Sequence, residues 1–305
     1  MKKNSRIFFV LIILLLFFSF LEIYTGPIKN PEWNIILTLR LPRIVLALII
    51  GTNLAISGTA LQSVFANPLI DPYISSASAG AAWGIILSRW FGFTDLPGAV
   101  VFSLLSLFFS YQISRKNFRT TPTRLVLAGV TLNTFLNALI VIFFLTYHRD
   151  FYQLLFFLFG NLNETDWQLI GLSFLLSIGG FFWLYRLSKH LDIISLGEDK
   201  SATLGISPEN LKLQIFVVVG LLTAISVSLS GIIGFVGLIT PHLLRMQMGS
   251  TNRQIIPAAA LGGSILLLVS DWLARNVAAP QELPLGVVTA LLGVPYFLYL
   301  LRKQQ

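Results

Sequence analysis

The stretch IFFVLIILLLFFSFL, residues 7–21, carries one polar side chain, Ser19, and follows the basic residues Lys2, Lys3 and Arg6. As an α-helix, an apolar run of about 20 residues crosses the roughly 30 Å hydrocarbon core of a bilayer. Similar runs recur along the chain, whereas the alternation over about ten residues that marks a membrane β-barrel is missing. With 55% hydrophobic and 11% charged residues, the chain has too few polar groups to cover a soluble globule of 305 residues. The sequence therefore predicts an all-α integral membrane protein.

Apolar runs between charged or Pro/Gly-rich breaks predict about ten spans within a single transmembrane domain, residues 1–305. Nine spans is the main alternative, because only Gly-rich sequence separates the seventh from the eighth. A cleaved signal peptide is not favoured, since no small-x-small site follows the first run. The predicted limits are 7–24, 44–65, 74–91, 97–114, 124–147, 166–187, 211–231, 233–248, 255–274 and 283–301.

The formal net charge of +8 could indicate nucleic acid or anionic lipid as a partner. The positions of the 21 Lys and Arg residues indicate topology instead, because most would lie in cytoplasmic segments if the N-terminus were inside. With ten spans, both termini then lie in the cytoplasm. We expect the chain to be surrounded by the lipid bilayer and to bind no nucleic acid. The basic residues left on the outer side are Lys29, Arg40, Arg43, Arg89, Arg149 and Arg275.

Several kinds of chemistry are not expected. The chain has no cysteine, and its three histidines share no helix face with a carboxylate at metal-site spacing. No GxxxxGK[ST] phosphate-binding loop occurs, so we expect no ATP hydrolysis by this chain alone. Ionisable residues are scarce at the span centres, which disfavours an ion-driven carrier. We therefore predict a protein that is not an enzyme and that binds neither a metal nor a cofactor itself.

Two segments stand out as candidate contact sites. Arg40 and Arg43, in RLPR, stand just before the second predicted span, where positive charge opposes both the inside bias and the helix dipole. They could form a docking patch for an acidic partner, or they could reach to lipid headgroups. Arg275 lies on the same side, and an i, i+4 pair with Asp271 is its simplest interpretation. Residues 196–210, LGEDKSATLGISPEN, form the longest polar cytoplasmic connection, in which Gly197 and Gly205 predict a short helix between them. A soluble partner could bind this segment.

Small residues recur at helical spacing in two places, and close helix packing is the simpler interpretation of both. Gly80 and Gly84 form a GxxxG pattern, and Gly231, Gly234 and Gly237 lie three apart. For the second group an interrupted helix lining a path is the alternative. The string NPLIDP, residues 67–72, predicts a turn between the second and third spans.

Strings along nearly the whole chain resemble those of one family, the FecCD-type permeases of bacterial ATP-binding-cassette importers for iron-siderophore, haem and vitamin B12. Each string alone is weak, but their order and spacing together are highly specific. Here the family's Gly-x-Ser-x-Gly-Ala string after NPLIDP reads SSASAGA, with Ser75 and Ser76 at its start. The matching strings are LRLPRIVLALIIGTNLAISGTALQ, NPLIDP, RLVLAGV, LGEDKSATLGI, SGIIGFVGLITPHLLR, SDWLAR and ELPLGVVTALLGVPYFLYLL.

The resemblance implies a type II importer permease fold in the bacterial inner (cytoplasmic) membrane, with no covalent chemistry. It implies three partners: a second permease subunit, identical or related, a cytoplasmic ATPase dimer that binds ATP and magnesium, and an extracytoplasmic binding protein. The cargo would be an iron-siderophore complex, or haem or a corrinoid. A self-sufficient secondary carrier and a polytopic membrane enzyme remain the rival functions.

The resemblance also implies two sets of site residues. Arginines matching Arg40, Arg43 and Arg275 face glutamates on the two lobes of the binding protein in such permeases. The family's cytoplasmic coupling segment resembles residues 196–206. Its candidate contacts with the ATPase are Gly197, Glu198, Ala202, Leu204 and Gly205.

Overall fold

The computed structural model describes residues 2–25, 32–116, 119–147, 156–249 and 251–303. Lys29 and Arg149, which the sequence predicts on the outer side of the membrane, and His148, one of the three histidines, lie outside these ranges. Helices account for most of the described chain, and residues 156–159 add a short helical turn. One two-residue antiparallel ladder pairs residues 115–116 with residues 119–120, with Arg115 opposite Thr120.

The elements in chain order are α1 (Lys2–Tyr24), α2 (Trp33–Val64, π-helical at Ile36–Arg40), α3 (Ala77–Trp90), α4 (Asp95–Ser114), β1 (Arg115–Lys116), β2 (Arg119–Thr120), α5 (Pro122–Tyr147), α6 (Trp167–Arg186), α7 (Ser188–Ile194), α8 (Glu198–Thr203), α9 (Pro208–Ser230), α10 (Val236–Met248), α11 (Asn252–Asn276) and α12 (Leu285–Lys303).

Each of the ten predicted spans coincides with one of these helices. In the described residues, seven helices are long and apolar enough to cross a membrane: α1, α2, α4, α5, α6, α9 and α11. The other three are shorter or only partly apolar, since α3 has 14 residues, α10 has 13 and the apolar part of α12 runs from Leu285 to Tyr296. At 1.5 Å per residue, α3 and α10 each cover only about 20 Å.

Helix α2 is the centre of the bundle, because 83% of its most apolar window is buried, against 6% for α1. Two glycines allow neighbouring backbones to reach it. A Cβ built on Gly51 would collide with the carbonyl of Gly263 in α11, and one on Gly58 would collide with the carbonyl of Gly237 in α10. No larger residue fits at either crossing, so α2, α10 and α11 pack backbone to backbone.

The two glycine patterns are confirmed as packing sites, and one of their glycines also interrupts a helix. Gly84 of α3 lies against the backbone of Gly98 in α4, and Gly237 lies against α2. Gly231, by contrast, has φ +76° and ends α9, and residues 231–235 separate α9 from α10. Both interpretations of the second cluster therefore hold in part: one glycine packs and another interrupts the helix.

The predicted turn after α2 is confirmed, and side-chain oxygens of the half-buried Asn67 and the buried Asp71 hold it. The Asn67 side-chain oxygen accepts the amide of Leu69 at 2.9 Å, and an Asp71 oxygen accepts the amide of Ile74 at 2.8 Å. Burial raises the pKa of the Asp71 carboxyl to about 6, although the amide hydrogen bonds oppose that rise. Ser76, just before α3, has φ +71°, a conformation that glycine adopts without strain.

Candidate functional site

Arg43, in α2, lies at the centre of an ion-pair cluster and is 14% exposed. Its Nε is 2.9 Å from Oδ1 of Asp271 in α11, and its Nη2 is 3.1 Å from Oε2 of Glu282 in the loop before α12. Its Nη1 also donates to Oδ1 of Asn163 at 3.2 Å. One guanidinium therefore connects α2, α11 and two loops.

Arg275 and Arg40 extend this cluster to α1, and each is 6% exposed. The Nε of Arg275 is 3.1 Å from Oδ2 of Asp271, and its Nη2 pairs with Glu22 of α1. Arg40 donates a hydrogen bond to the backbone carbonyl of Ile23, also in α1. Asp271 thus lies between two guanidinium groups. We call this group the Arg43 cluster: Arg40, Arg43, Arg275, Glu22, Asp271 and Glu282.

The structure corrects the predicted setting of these arginines. Helix α2 begins at Trp33, ahead of the predicted start at residue 44, so Arg40 and Arg43 lie inside the helix and not before it. The dipole argument from the sequence therefore fails. The i, i+4 pair of Arg275 with Asp271 is present, and the chain itself supplies carboxylates for Arg43 and Arg275. Docking of another protein at these residues stays a prediction.

A second polar cluster lies at the N-terminal end of α9. The C-terminal end of α9 lies near the Arg43 cluster, because Ser230 accepts the amide of Asn161 at 2.8 Å, close to Asn163. The 23 residues of α9 cover about 34 Å. Its N-terminal end, with Lys212, therefore lies at the opposite end of the bundle.

Lys212 is fully buried, at 0% exposure, and has three partners. Its Nζ lies 2.8 Å from Oε1 of Glu198 in α8, 3.1 Å from Oε1 of Glu209 in α9 and 2.9 Å from Oγ1 of Thr120 in β2. We call Lys212, Glu198, Glu209 and Thr120 the Lys212 cluster. This cluster attaches the short helix α8 to α9 and to the β1–β2 ladder.

The predicted coupling segment forms the short helix that its glycines indicated. Gly197 has φ +115° and Gly205 has φ +81°, so glycine permits the backbone turn on each side of α8. Leu204 is 62% exposed and Ala202 is exposed, whereas Glu198 is half-buried against Lys212. Among the five candidates, the side chains of Ala202 and Leu204 thus point away from the chain, and Glu198 holds the segment in place.

A hydrogen-bonded junction around Asn252 holds α7, the helix just before this segment. Asp192 of α7 accepts both the backbone amide and the side-chain amide of Asn252, at 2.7 and 2.8 Å. Asn252 Oδ1 in turn accepts from Arg245 of α10 and from Ser63 of α2, at 2.8 and 2.9 Å. Asn252 is 1% exposed. The segment is therefore connected to α2, α10 and α11 through α7, and to α9 through α8.

Sequence reasoning missed Lys212, Asn252, Glu22 and Glu282 as structural partners. A usable signal exists for Lys212 and Glu22, because each is an ionisable residue at one end of an otherwise apolar span, where it needs a partner. Asn252 and Glu282 carry no such signal. Within the described ranges, no three His, Asp or Glu side chains are arranged to hold a metal ion, and the expectation of no metal stays a prediction.

The comparison with known families decides what kind of protein presents these two clusters. A model of the FecCD transport family matches residues 7–303. The chain belongs to the FecCD transport family. It is a multi-pass membrane permease with an all-α, type II importer fold.

Relatives of this FecCD permease are similar over most of their length. The hemin transport system permease protein HmuU of Yersinia pestis is 36% identical over 299 residues, which cover 94% of this chain and 89% of that protein. The cobalamin import system permease protein BtuC of Halobacterium salinarum is 36% identical, over 92% of this chain and 78% of that protein. A solved structure of an inward-facing, metal-chelate type ABC transporter has a TM-score of 0.86 at 31% identity, and the match covers 98% of this chain and 99% of that one.

Proposed function

We propose that this permease translocates an organic metal chelate into a bacterial cell by alternating access, driven by separate ATPase subunits. The observation that carries this proposal is the family match over residues 7–303. We take an iron-siderophore complex as the first candidate cargo, with haem or a corrinoid next. The names of the relatives support the chelate class, since two of them are a hemin and a cobalamin permease.

The exposed face of α8 is the proposed contact with the ATPase dimer. Leu196 and Leu204, on either side of α8, are 61% and 62% exposed, although an apolar side chain gains free energy from burial. A hydrophobic groove on a soluble ATPase would cover both. The two anchors, Glu198 to Lys212 and Asp192 to Asn252, would then carry the movement of the ATPase to the membrane helices. ATP and magnesium belong to that partner.

The proposed docking face for the binding protein lies at the opposite end of the bundle, around the Arg43 cluster. Glu282 is 34% exposed and Arg43 is 14% exposed, so a partner would meet this pair before it met the more deeply buried Arg40 and Arg275. Rim charges of this kind act mainly on registry and association rate. We expect N- and C-termini on the ATPase side, and a second permease subunit across the translocation path.

The docking proposal has a direct test. Replacing Arg40 and Arg43 with Glu should abolish uptake, but it also breaks internal pairs, so loss of uptake alone proves little. Glu282→Gln leaves Arg43 with Asp271 and changes only the exposed edge of the cluster. If the binding protein docks here, this variant changes its association rate while membrane insertion and ATPase assembly stay normal. An unchanged rate would remove this face from the proposal.

The whole proposal is tested by purification of the tagged chain in mild detergent, followed by mass spectrometry of the bound proteins. Recovery of an ATPase with a Walker motif supports the importer. Reconstitution of that complex in proteoliposomes then allows uptake of ferric siderophore, haem and cobalamin to be compared, each with and without ATP. Transport by the chain alone, without ATP, would establish the secondary carrier instead. A product chemically altered by the chain would establish the membrane enzyme.

A further inference from the structure

A lipid-facing groove of about 750 Å³ runs between α1 on one side and α10 and α11 on the other. Its walls are mostly apolar, with Val10 and Leu14 from α1, Leu243 from α10 and Ile265 from α11. Helix α1 is the most exposed span, with 6% of its apolar window buried, so the groove opens toward the bilayer and not toward the bundle centre. No part of the proposed transport mechanism uses it.

The groove has the length of one leaflet. It extends along α1 from Lys3 to Leu14, which is about 16 Å at 1.5 Å per residue. Half of a 30 Å hydrocarbon core is about 15 Å. An acyl chain lying along α1 would therefore reach from the membrane surface to the middle of the bilayer.

The surface end of the groove is positively charged. Lys3 and Arg6 line it, both are exposed, and no Asp or Glu is among the lining residues. The position of this end is fixed, because Asn4 donates to Gln254 of α11 and, at 3.5 Å, to the carbonyl of Met248 at the end of α10. Two cations above an apolar groove are complementary to a phosphate on an acyl chain.

We propose that this groove binds an anionic phospholipid, with an acyl chain between α1 and α11 and the phosphate between Lys3 and Arg6. The site is on the side where the positive-inside bias places the N-terminus. A bound lipid of this kind would fill the space between α1 and the rest of the bundle. It would therefore stabilise the attachment of a helix that buries little surface itself.

The test is lipid retention measured by native mass spectrometry. The full chain is purified, stripped of lipid and titrated with phosphatidylglycerol or phosphatidylcholine of the same acyl chains. Two basic residues predict roughly 30-fold tighter binding of the first phosphatidylglycerol. Lys3→Gln with Arg6→Gln should remove that preference, and Lys3→Arg with Arg6→Lys should keep it. Arg186→Gln with Lys189→Gln, two exposed basic residues elsewhere, is the matched control and should keep it too.

A second pair of variants tests the groove separately from its charge. Val10→Trp places a large ring in the groove, whereas Ile13→Trp places one on an exposed part of α1 outside it. We expect at least tenfold weaker retention of phosphatidylglycerol in the first variant and no change in the second. Equal affinity for the two lipids, or displacement of lipid by free glycerol phosphate, would overturn the proposal. So would a dimer of the chain that buries the groove without lipid.

Discussion

The Arg43 cluster and the Lys212 cluster lie at opposite ends of the bundle and differ in what surrounds them. In the Arg43 cluster, Asp271 is 2% exposed and both arginines that meet it are at least five-sixths buried. In the Lys212 cluster one fully buried cation meets two carboxylates that are each about one third exposed. The first cluster joins long membrane helices to one another, and the second joins a short surface helix to a long one.

This difference predicts that substitutions in the two clusters affect stability in different ways. Removal of either member of a buried ion pair lowers the stability of the fold strongly, because no water solvates the charge that remains. A half-exposed carboxylate can turn to solvent when its partner is lost, so the cost is smaller and local. We therefore expect changes at the buried members of the Arg43 cluster, Arg43, Asp271 and Arg275, to affect folding of the whole chain, and changes in the Lys212 cluster to affect only the coupling segment.

The largest effect is expected for Asp271→Ala. It removes the carboxylate that Arg43 and Arg275 share and leaves each guanidinium with one carboxylate, Glu282 or Glu22, so we expect a loss of about 3 kcal/mol of the free energy of unfolding, the low end for breaking a buried ion pair. Thermal and denaturant unfolding in detergent would measure it. Asp95→Ala is the control, because it breaks the pair with Arg89, whose side chain is 60% exposed, and should cost less than about 1 kcal/mol. Equal losses in the two variants would contradict the comparison.

Asp71 extends the comparison to a buried carboxylate held by backbone amides and not by cations. Its pKa of about 6 lies above its ordinary 3.8, so the folded chain holds this proton more tightly than the unfolded chain does. The free energy of unfolding should therefore fall by about 2–3 kcal/mol as the pH rises from about 4 to above 6. Asp71→Asn should remove that pH dependence and leave the free energy of unfolding lower by a constant amount, because hydrogen bonds from backbone amides to the side chain are lost. An unchanged pH profile in this variant would exclude Asp71 as its source.

Lys212→Met tests the local effect at the other end. Methionine keeps most of the apolar stem but removes the ammonium that holds Glu198. We expect backbone amides of α8 to exchange with solvent about tenfold faster, while exchange in α2 and α11 stays unchanged. Lys200→Met, at an exposed lysine in the same segment, is the matched control and should change neither. Faster exchange throughout the chain would place Lys212 with the global cluster instead.

The sequence predicts the helices of this fold well, because apolar length and Gly/Pro breaks determine where a span can lie. All ten predicted spans correspond to helices, and the short helix between Gly197 and Gly205 was predicted by its two glycines. Helix ends were harder. The apolar run predicts that α2 starts at residue 44, after Arg43, whereas the helix starts at Trp33, because two arginines lower the hydropathy of a span and the sequence does not reveal their partners. The carboxylate partners of Arg43, Asp271 and Glu282, are more than 200 residues away in the sequence, and Arg40 donates to a backbone carbonyl of another helix, that of Ile23 in α1.

A departure from the family pattern acquires a physical meaning only in the structure. The sequence shows serine at the start of the string that the family commonly begins with glycine. Ser76 proves to have φ +71°, where glycine is unstrained, and its Oγ lies 2.9 Å from that of Ser110 in α4. A side-chain contact thus accompanies a strained backbone. No pattern in one sequence gives a left-handed serine, because the stabilising partner lies in another helix.

The smallest effect on stability, and the sharpest test of the coupling segment, is expected for Leu204→Ala. Leu204 is 62% exposed and Leu175, on the lipid-facing side of α6, is 67% exposed, so the two leucines form a matched pair. Each alanine variant should change the free energy of unfolding by less than about 0.5 kcal/mol. Only Leu204→Ala should weaken retention of the ATPase, by roughly tenfold, because only that leucine would become buried at the interface. Titration of the purified ATPase against each variant in nanodiscs measures this directly. Equal affinities would remove Leu204 from the coupling surface and leave Lys212 as an anchor for a segment whose partner lies elsewhere.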